Sequence, residues 1–160
     1  TWTGPQVDGR LDFITARQWR DAAPGLFETV RLRHPGEVRP FALRWDQMAG
    51  LVTWEGDKSA DRHAVQYRDA AGVVRGLAIY TVSHGSDDFE RAKVDVINVI
   101  ASTDDAYAAL WRFFVEMDLV GTITYSLGSV DEPLRWMVSD ARAVEVRTFD
   151  MQYLRVLDVG

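Results

Sequence analysis

The 160-residue sequence contains no cysteine. Disulfide scaffolds, thiolate metal sites and cysteine nucleophiles are thereby excluded, and the absence fits a cytoplasmic protein. Long hydrophobic runs are lacking too. No apolar stretch approaches the ~20 residues of a membrane-spanning helix, and no signal-peptide pattern opens the chain. Positive charge is the scarcer sign, with 18 Lys+Arg against 24 Asp+Glu and a formal net charge of −6. That balance argues against a general nucleic-acid or anionic-membrane partner and suits a cationic ligand. Histidine is sparse: His34, His63 and His84 have neither i, i+4 nor His-x-His spacing, so no metal site is expected. Ser83-His84 with Asp87-Asp88 lacks a nucleophile elbow and reads as a turn, not a triad. Gly36, Gly121 and Gly128 belong to no dinucleotide fingerprint.

What is present describes a globular α/β domain, with 47% hydrophobic and 26% charged residues. The organising stretch covers residues 91–125. Ala92-Lys93-Val94-Asp95-Val96-Ile97-Asn98-Val99-Ile100-Ala101 alternates and is rich in β-branched residues, which favours a largely buried strand. Ser102-Thr103-Asp104-Asp105 stops it and starts a helix, with hydroxyls to cap amides and acids facing the positive end of the helix dipole. Tyr107, Leu110, Trp111, Phe114 and Met117 follow at helical spacing. Residues 120–125 return to strand. Such a strand–helix–strand unit implies two parallel strands joined by a right-handed crossover.

Around this unit the chain reads in order. Residues 1–9 are polar, carry two Gly and a Pro, and are expected to be a linker from an upstream domain. The domain itself is expected over residues 10–160. Residues 10–14 form a first strand. Pro24 opens a helix over residues 25–32, with Leu26, Phe27 and Val30 as its core face. His34-Pro35-Gly36 ends that helix. A second helix is expected over residues 40–51, with Phe41, Trp45, Met48 and Leu51 at apolar positions. Residues 54–61 are expected as a mobile loop. Residues 63–67 and 74–84 form a hairpin turning through Gly72, and residues 85–88 a further turn. Beyond residue 125, a short helix is expected over residues 131–138, Asp131 and Glu132 favouring its dipole. Residues 143–148 and 153–159 are expected as a closing hairpin. Trp45, Trp111 and Trp136 fall on apolar helical faces and are expected in the core. Trp2 and Trp54 fall in loop-like sequence.

The resulting order, β-α-α-β-β-β-α-β-α-β-β with about seven strands in a mixed sheet, is similar to that of the acetyl-CoA-dependent N-acetyltransferase (GNAT) fold. In that fold the amino end of the crossover helix receives the pyrophosphate of coenzyme A. Unpaired amides and the helix dipole attract the anion there, and small residues let the backbone approach it. GNAT enzymes mark the loop with Arg/Gln-x-x-Gly-x-Gly/Ala. The residues standing here are Ile100-Ala101-Ser102-Thr103-Asp104-Asp105-Ala106, with no glycine, no basic residue and two carboxylates. Like charges repel a diphosphate. No cofactor-binding residue and no acetyl-CoA binding are expected in this domain.

Four motifs carry a closer resemblance. They are Arg33-His34-Pro35-Gly36 with Arg39-Pro40 and Trp45-Asp46; Thr103-Asp104-Asp105-Ala106-Tyr107-Ala108-Ala109-Leu110-Trp111-Arg112-Phe113 with Met117-Asp118-Leu119-Val120; Asp131-Glu132-Pro133-Leu134-Arg135-Trp136 with Asp140-Ala141-Arg142-Ala143; and Asp150 with Tyr153-Leu154-Arg155-Val156-Leu157-Asp158-Val159. Together they resemble the middle, degenerate GNAT domain of the Eis (enhanced intracellular survival) N-acetyltransferases. The resemblance implies a parent that acetylates amines, aminoglycosides among them, and assembles as a hexamer. It implies an upstream GNAT domain holding acetyl-CoA and the catalytic tyrosine, and a downstream sterol-carrier-like domain. No catalytic residue is then expected in this chain. The turn of the last hairpin lines the acceptor cleft in the family, which points to Asp150 as a partner for a cationic amine. Arg147 stands where family members can carry a tryptophan, which weakens that cation preference. Two other readings are an active single-domain acetyltransferase with an unusual cofactor loop, and a stand-alone small-molecule binding module.

Overall fold

The computed structural model describes residues 1–34, 36–52, 61–84 and 91–149. Trp54, the turn expected over residues 85–88, Asp150 and the second strand of the closing hairpin lie outside the described residues.

Five strands form one mixed sheet: β1 (Arg10–Ile14), β2 (His63–Arg68), β3 (Val74–Ser83), β4 (Ala92–Ala101) and β5 (Val120–Tyr125). They lie side by side in chain order. The first three pairings are antiparallel and β4–β5 is parallel. The parallel pair follows from the crossover helix between those strands. The sheet is the mixed α/β, GNAT-like architecture expected, with five strands among the described residues. Residues 143–148, expected to open the closing hairpin, are not strand.

Helix α1 (Ala16–Arg31) begins well before the expected residue 25 and contains Pro24 in its interior. Two local features explain the correction. Thr15 and Gln18 form a reciprocal capping box: the Gln18 amide donates to the Thr15 hydroxyl at 3.1 Å, and the Thr15 amide donates to Gln18 Oε1 at 2.9 Å. Trp19, Ala23, Leu26, Phe27 and Val30 then share one face, Trp19 and Ala23 being wholly buried. A proline inside a helix costs about 3 kcal/mol. Burying a large apolar side chain returns roughly 1.5–3 kcal/mol, so several such groups outweigh it.

Helix α2 (Ala42–Met48) is shorter than expected. Trp45 and Met48 are buried, but Phe41 is 66% exposed at the cap position and Leu51 lies past the end. Gly50, in the left-handed region at φ 69, ends the helix.

α1 and α2 cover one face of the sheet, over Ala64, Leu77, Ile79 and Ile100. The crossover helix α3 (Asp104–Val115) covers the other, over Val65, Tyr67, Ala78, Tyr80, Val94 and Val96. Gly76 in β3 lets α3 come close, since a Cβ there would sit 2.9 Å from Leu110 and 3.1 Å from Ala106. Trp2 belongs to this second core: it is buried, bridges Val138, and donates its indole N–H to the Pro5 carbonyl at 3.3 Å.

The expected helix over residues 131–138 is a single 3₁₀ turn, Pro133–Trp136. Trp136, expected in the core, is 74% exposed, with the Arg135 guanidinium 4.8 Å from its ring. Leu134 and Met137 pack against the core from this segment, and one turn is too short to bring Trp136 to the same face. None of the described helices is long and apolar enough to cross a membrane.

Candidate functional site at the β4–β5 gap

The two flanks of β4 part company midway along the strand. From Lys93 to Val96 it is paired on both sides, with β5 joining from Ala92–Val120 to Val96–Tyr125. At that point β3 pairs Ile79 with Asn98 but Tyr80 with Val96, so Ile97 is an extra, bulged residue. β5 ends at Tyr125. Among the described residues, residues 97–101 of β4 therefore keep β3 as a neighbour and have a gap, with no strand paired, on the other side.

Tyr125 reaches into this gap. Its ring packs edge-on against Trp111 (centroids 5.4 Å apart), which contacts Tyr107 and Phe114 in turn. Burial pushes the Tyr125 hydroxyl up to about 12; the Val99 amide that it meets pulls the other way, and the negative charge of Glu37 adds to the rise. The Trp111 indole N–H and the Tyr107 hydroxyl are buried beside it without a hydrogen-bond partner. Tyr80 is a core residue whose hydroxyl is raised by burial.

Glu132 follows the gap in sequence. Gly128 lies between it and the Tyr125 ring: a Cβ at Gly128 would be 3.5 Å from Glu132 Oε2 and 3.6 Å from Tyr125 Cδ1. Burial raises the Glu132 carboxyl, the Leu134 and Ser129 amides oppose that, and its Oε1 has no partner. The sequence reading gave Glu132 a helix dipole to complement. The structure gives it a half-buried site before one 3₁₀ turn instead.

The amino end of α3 lies beyond the carboxyl end of β4. The Thr103 hydroxyl caps it, accepting from the Ala106 amide at 3.2 Å. Ser102 is buried and donates both its amide (2.8 Å) and its hydroxyl (3.1 Å) to the Arg75 carbonyl. Asp104 and Asp105 are exposed in the first turn. One basic residue does arrive here, from far away in sequence: Arg33, just past α1, donates Nη1 to the Ser102 carbonyl at 3.0 Å. Sequence reasoning missed it because 69 residues separate the partners, and a turn residue after a helix carries no mark of what it will meet. Arg33 offsets one of the two carboxylates. It leaves no glycine at the turn, and Thr103 has already taken one of the free amides that an anion would use.

Of the two substrate residues expected, Arg147 is exposed and donates to Glu145 at 2.8 Å, which raises its guanidinium further. Asp150 lies outside the described residues. Ser83 donates to the Lys93 carbonyl at 3.4 Å. His63 stacks on Tyr80 with centroids 5.5 Å apart. Among the described residues no group of three His, Asp or Glu is placed to hold a metal ion.

Comparison with known proteins agrees with this architecture. An uncharacterized N-acetyltransferase of Streptomyces avermitilis is 30% identical over 99% of this chain. A second, from Streptomyces coelicolor, is 28% identical over 96% of it. The chain spans only 38% and 37% of those two relatives. Among solved structures, Eis1 from Mycobacterium abscessus superposes with a TM-score of 0.69 at 21% identity, covering 89% of this chain and 34% of that protein. The model of the acetyltransferase (GNAT) domain family matches residues 36–156, a span that takes in four of the five strands and the crossover helix. The chain therefore belongs to the GNAT acetyltransferase domain family.

Proposed function

We propose that this chain is a non-catalytic GNAT domain within a longer, Eis-type N-acetyltransferase, where it shapes the acceptor cleft and an oligomer interface. The observation that carries this reading is the start of α3: Asp104 and Asp105 stand where a GNAT enzyme places glycine and a cation for the diphosphate of acetyl-CoA. The cofactor and the catalytic tyrosine then belong to another GNAT domain of the same protein, upstream, with a sterol-carrier-like domain downstream. Three facts support the larger frame: the relatives' description as N-acetyltransferases, the chain's share of their length, and the fold likeness to Eis1. The acceptor is a cationic amine of the aminoglycoside type, met by Asp150, and the whole protein is a cytoplasmic homo-oligomer, a hexamer by its resemblance.

One observation favours a second reading, an active single domain. Arg33 at the Ser102 carbonyl supplies a guanidinium that the loop itself lacks. An acetyl-transfer assay on this chain alone separates the two. With acetyl-CoA and a panel of polyamines and aminoglycosides, the proposal expects no amine-dependent release of free thiol. Amine-dependent thiol release would establish the second reading.

A further inference from the structure

A segment that merely joins two domains is exposed, makes few contacts and leaves the domains free to move. Residues 1–9 have the composition of such a segment, yet every one of the nine is engaged. At the first anchor, the Ser139 amide donates to the Thr1 carbonyl at 2.9 Å, and the Thr3 and Gly4 amides donate to the Met137 carbonyl at 2.8 and 3.1 Å. Trp2 is seated there, 7% exposed, with its indole N–H turned back on the Pro5 carbonyl. A Cβ at Gly4 would lie 2.4 Å from Trp2 Cζ2, so the ring seats only because that residue has no side chain. The second anchor is α3, where Arg112 Nη1 donates to Gln6 Oε1 at 2.5 Å and Val7 packs on the core. The third is β2: the Tyr67 hydroxyl donates to the Asp8 carbonyl. Gly9, at φ 127, then passes that contact, where a Cβ would lie 2.4 Å from the Arg68 carbonyl oxygen.

We propose that residues 1–9 are a docked strap that fixes the orientation of a domain joined through it. The inference rests on the reading of this chain as one domain of a longer N-acetyltransferase, and adds how its place beside the catalytic domain is held. Three anchors on different elements leave no free pivot between Thr1 and β1. Thr1 gains freedom only when Trp2 leaves the core, and the Met137 carbonyl and Ser139 amide lose their partners in the same event. Backbone groups so released must find other partners, which opposes opening. An acceptor cleft built between the two domains then keeps one width instead of opening and closing about the joint.

The sequence has no cysteine, so Thr1→Cys takes a single nitroxide label at an exposed position. Its spectrum is recorded with no further change, with Trp2→Ala and with Gly4→Ala, each protein checked for cooperative melting. Without a further change the label is expected to tumble with the whole domain. Either substitution is expected to shorten its correlation time at least about tenfold. Gly4→Ala displaces the indole without removing a core side chain, so it serves even where Trp2→Ala does not melt cooperatively. A fast label in the absence of both substitutions, or a slow one in every cooperatively melting variant, overturns the proposal. Amide exchange reads the coupling: in Gly4→Ala the Thr3, Gly4 and Ser139 amides are expected to exchange roughly tenfold faster together, with buried Leu77 unchanged. An unchanged rate at Ser139 overturns the strap as a device joining the two segments. Amine-dependent acetyl transfer by this chain alone contradicts the non-catalytic reading and leaves the strap standing; a fast label at position 1 does the reverse.

Discussion

The two halves of β4 carry the same kind of sequence and meet opposite fates. Residues 93–96 alternate with β-branched side chains and lie between β3 and β5. Residues 97–101 continue that composition, yet among the described residues β3 is their sole strand neighbour, because Ile97 bulges and β5 stops at Tyr125. The first half is closed by backbone hydrogen bonds, whereas the second has the Tyr125 hydroxyl at Val99. The difference teaches that strand composition reports burial and not what covers the edge.

Experiments that break the comparison begin with the wall common to both halves. Trp111 contacts Tyr125, Tyr107 and Phe114 and is almost wholly buried. Trp111→Ala is expected to destabilise the domain by about 3–5 kcal/mol in urea unfolding, as large aromatic truncations in cores do. A loss below about 1 kcal/mol would place the tryptophan at a site free to collapse and weaken the view of it as a wall.

Next in size is an alkaline effect specific to the second half. Tyr125 has its folded-state pKa raised from 10.0 to about 12. A raised value favours the neutral form in the folded state. The associated stability is fully present below the unfolded value and is lost as the pH rises through the folded one. Between pH 10 and 12 the melting temperature is thus expected to fall more steeply in the unmodified protein than in Tyr125→Phe. Equal slopes would mean that the hydroxyl ionises as freely folded as unfolded.

Thr103→Ala sharpens the comparison at the far end of the gap. Loss of the cap on the Ala106 amide is expected to cost about 1 kcal/mol in the same unfolding assay. A cost near zero would show that water replaces the hydroxyl and that the start of α3 is more open than its capping implies. The smallest effect belongs to Trp136, at 74% exposure. Trp136→Ala is expected to shift stability by less than about 0.5 kcal/mol. A loss matching that of Trp111→Ala would contradict the placement of this tryptophan on the surface.

The same pair of tryptophans shows how much was legible in the sequence. Trp111 sits in a long amphipathic run with a cap and acidic first turn, and both its helix and its burial follow from that pattern. Trp136 has similar local spacing, but only one 3₁₀ turn forms around it, and periodicity over so few residues does not tell a buried face from an exposed one. Pro24 misled for a related reason. Read as a helix start, it lies inside α1, because the Thr15–Gln18 capping box and the buried Trp19 outweigh the backbone bond it removes. The crossover unit, the antiparallel meander and the acids at the start of α3 were all readable from local pattern. Arg33 at Ser102 and Tyr125 at Val99 were not. Both are long-range pairings of residues with ordinary local roles, one in a turn and one at a strand end.

The most direct test of the account is a calorimetric titration of acetyl-CoA into this protein. The acids at the start of α3 predict no saturable heat at millimolar ligand. Saturable binding in the micromolar range would contradict the account and make this domain itself the seat of acetyl transfer.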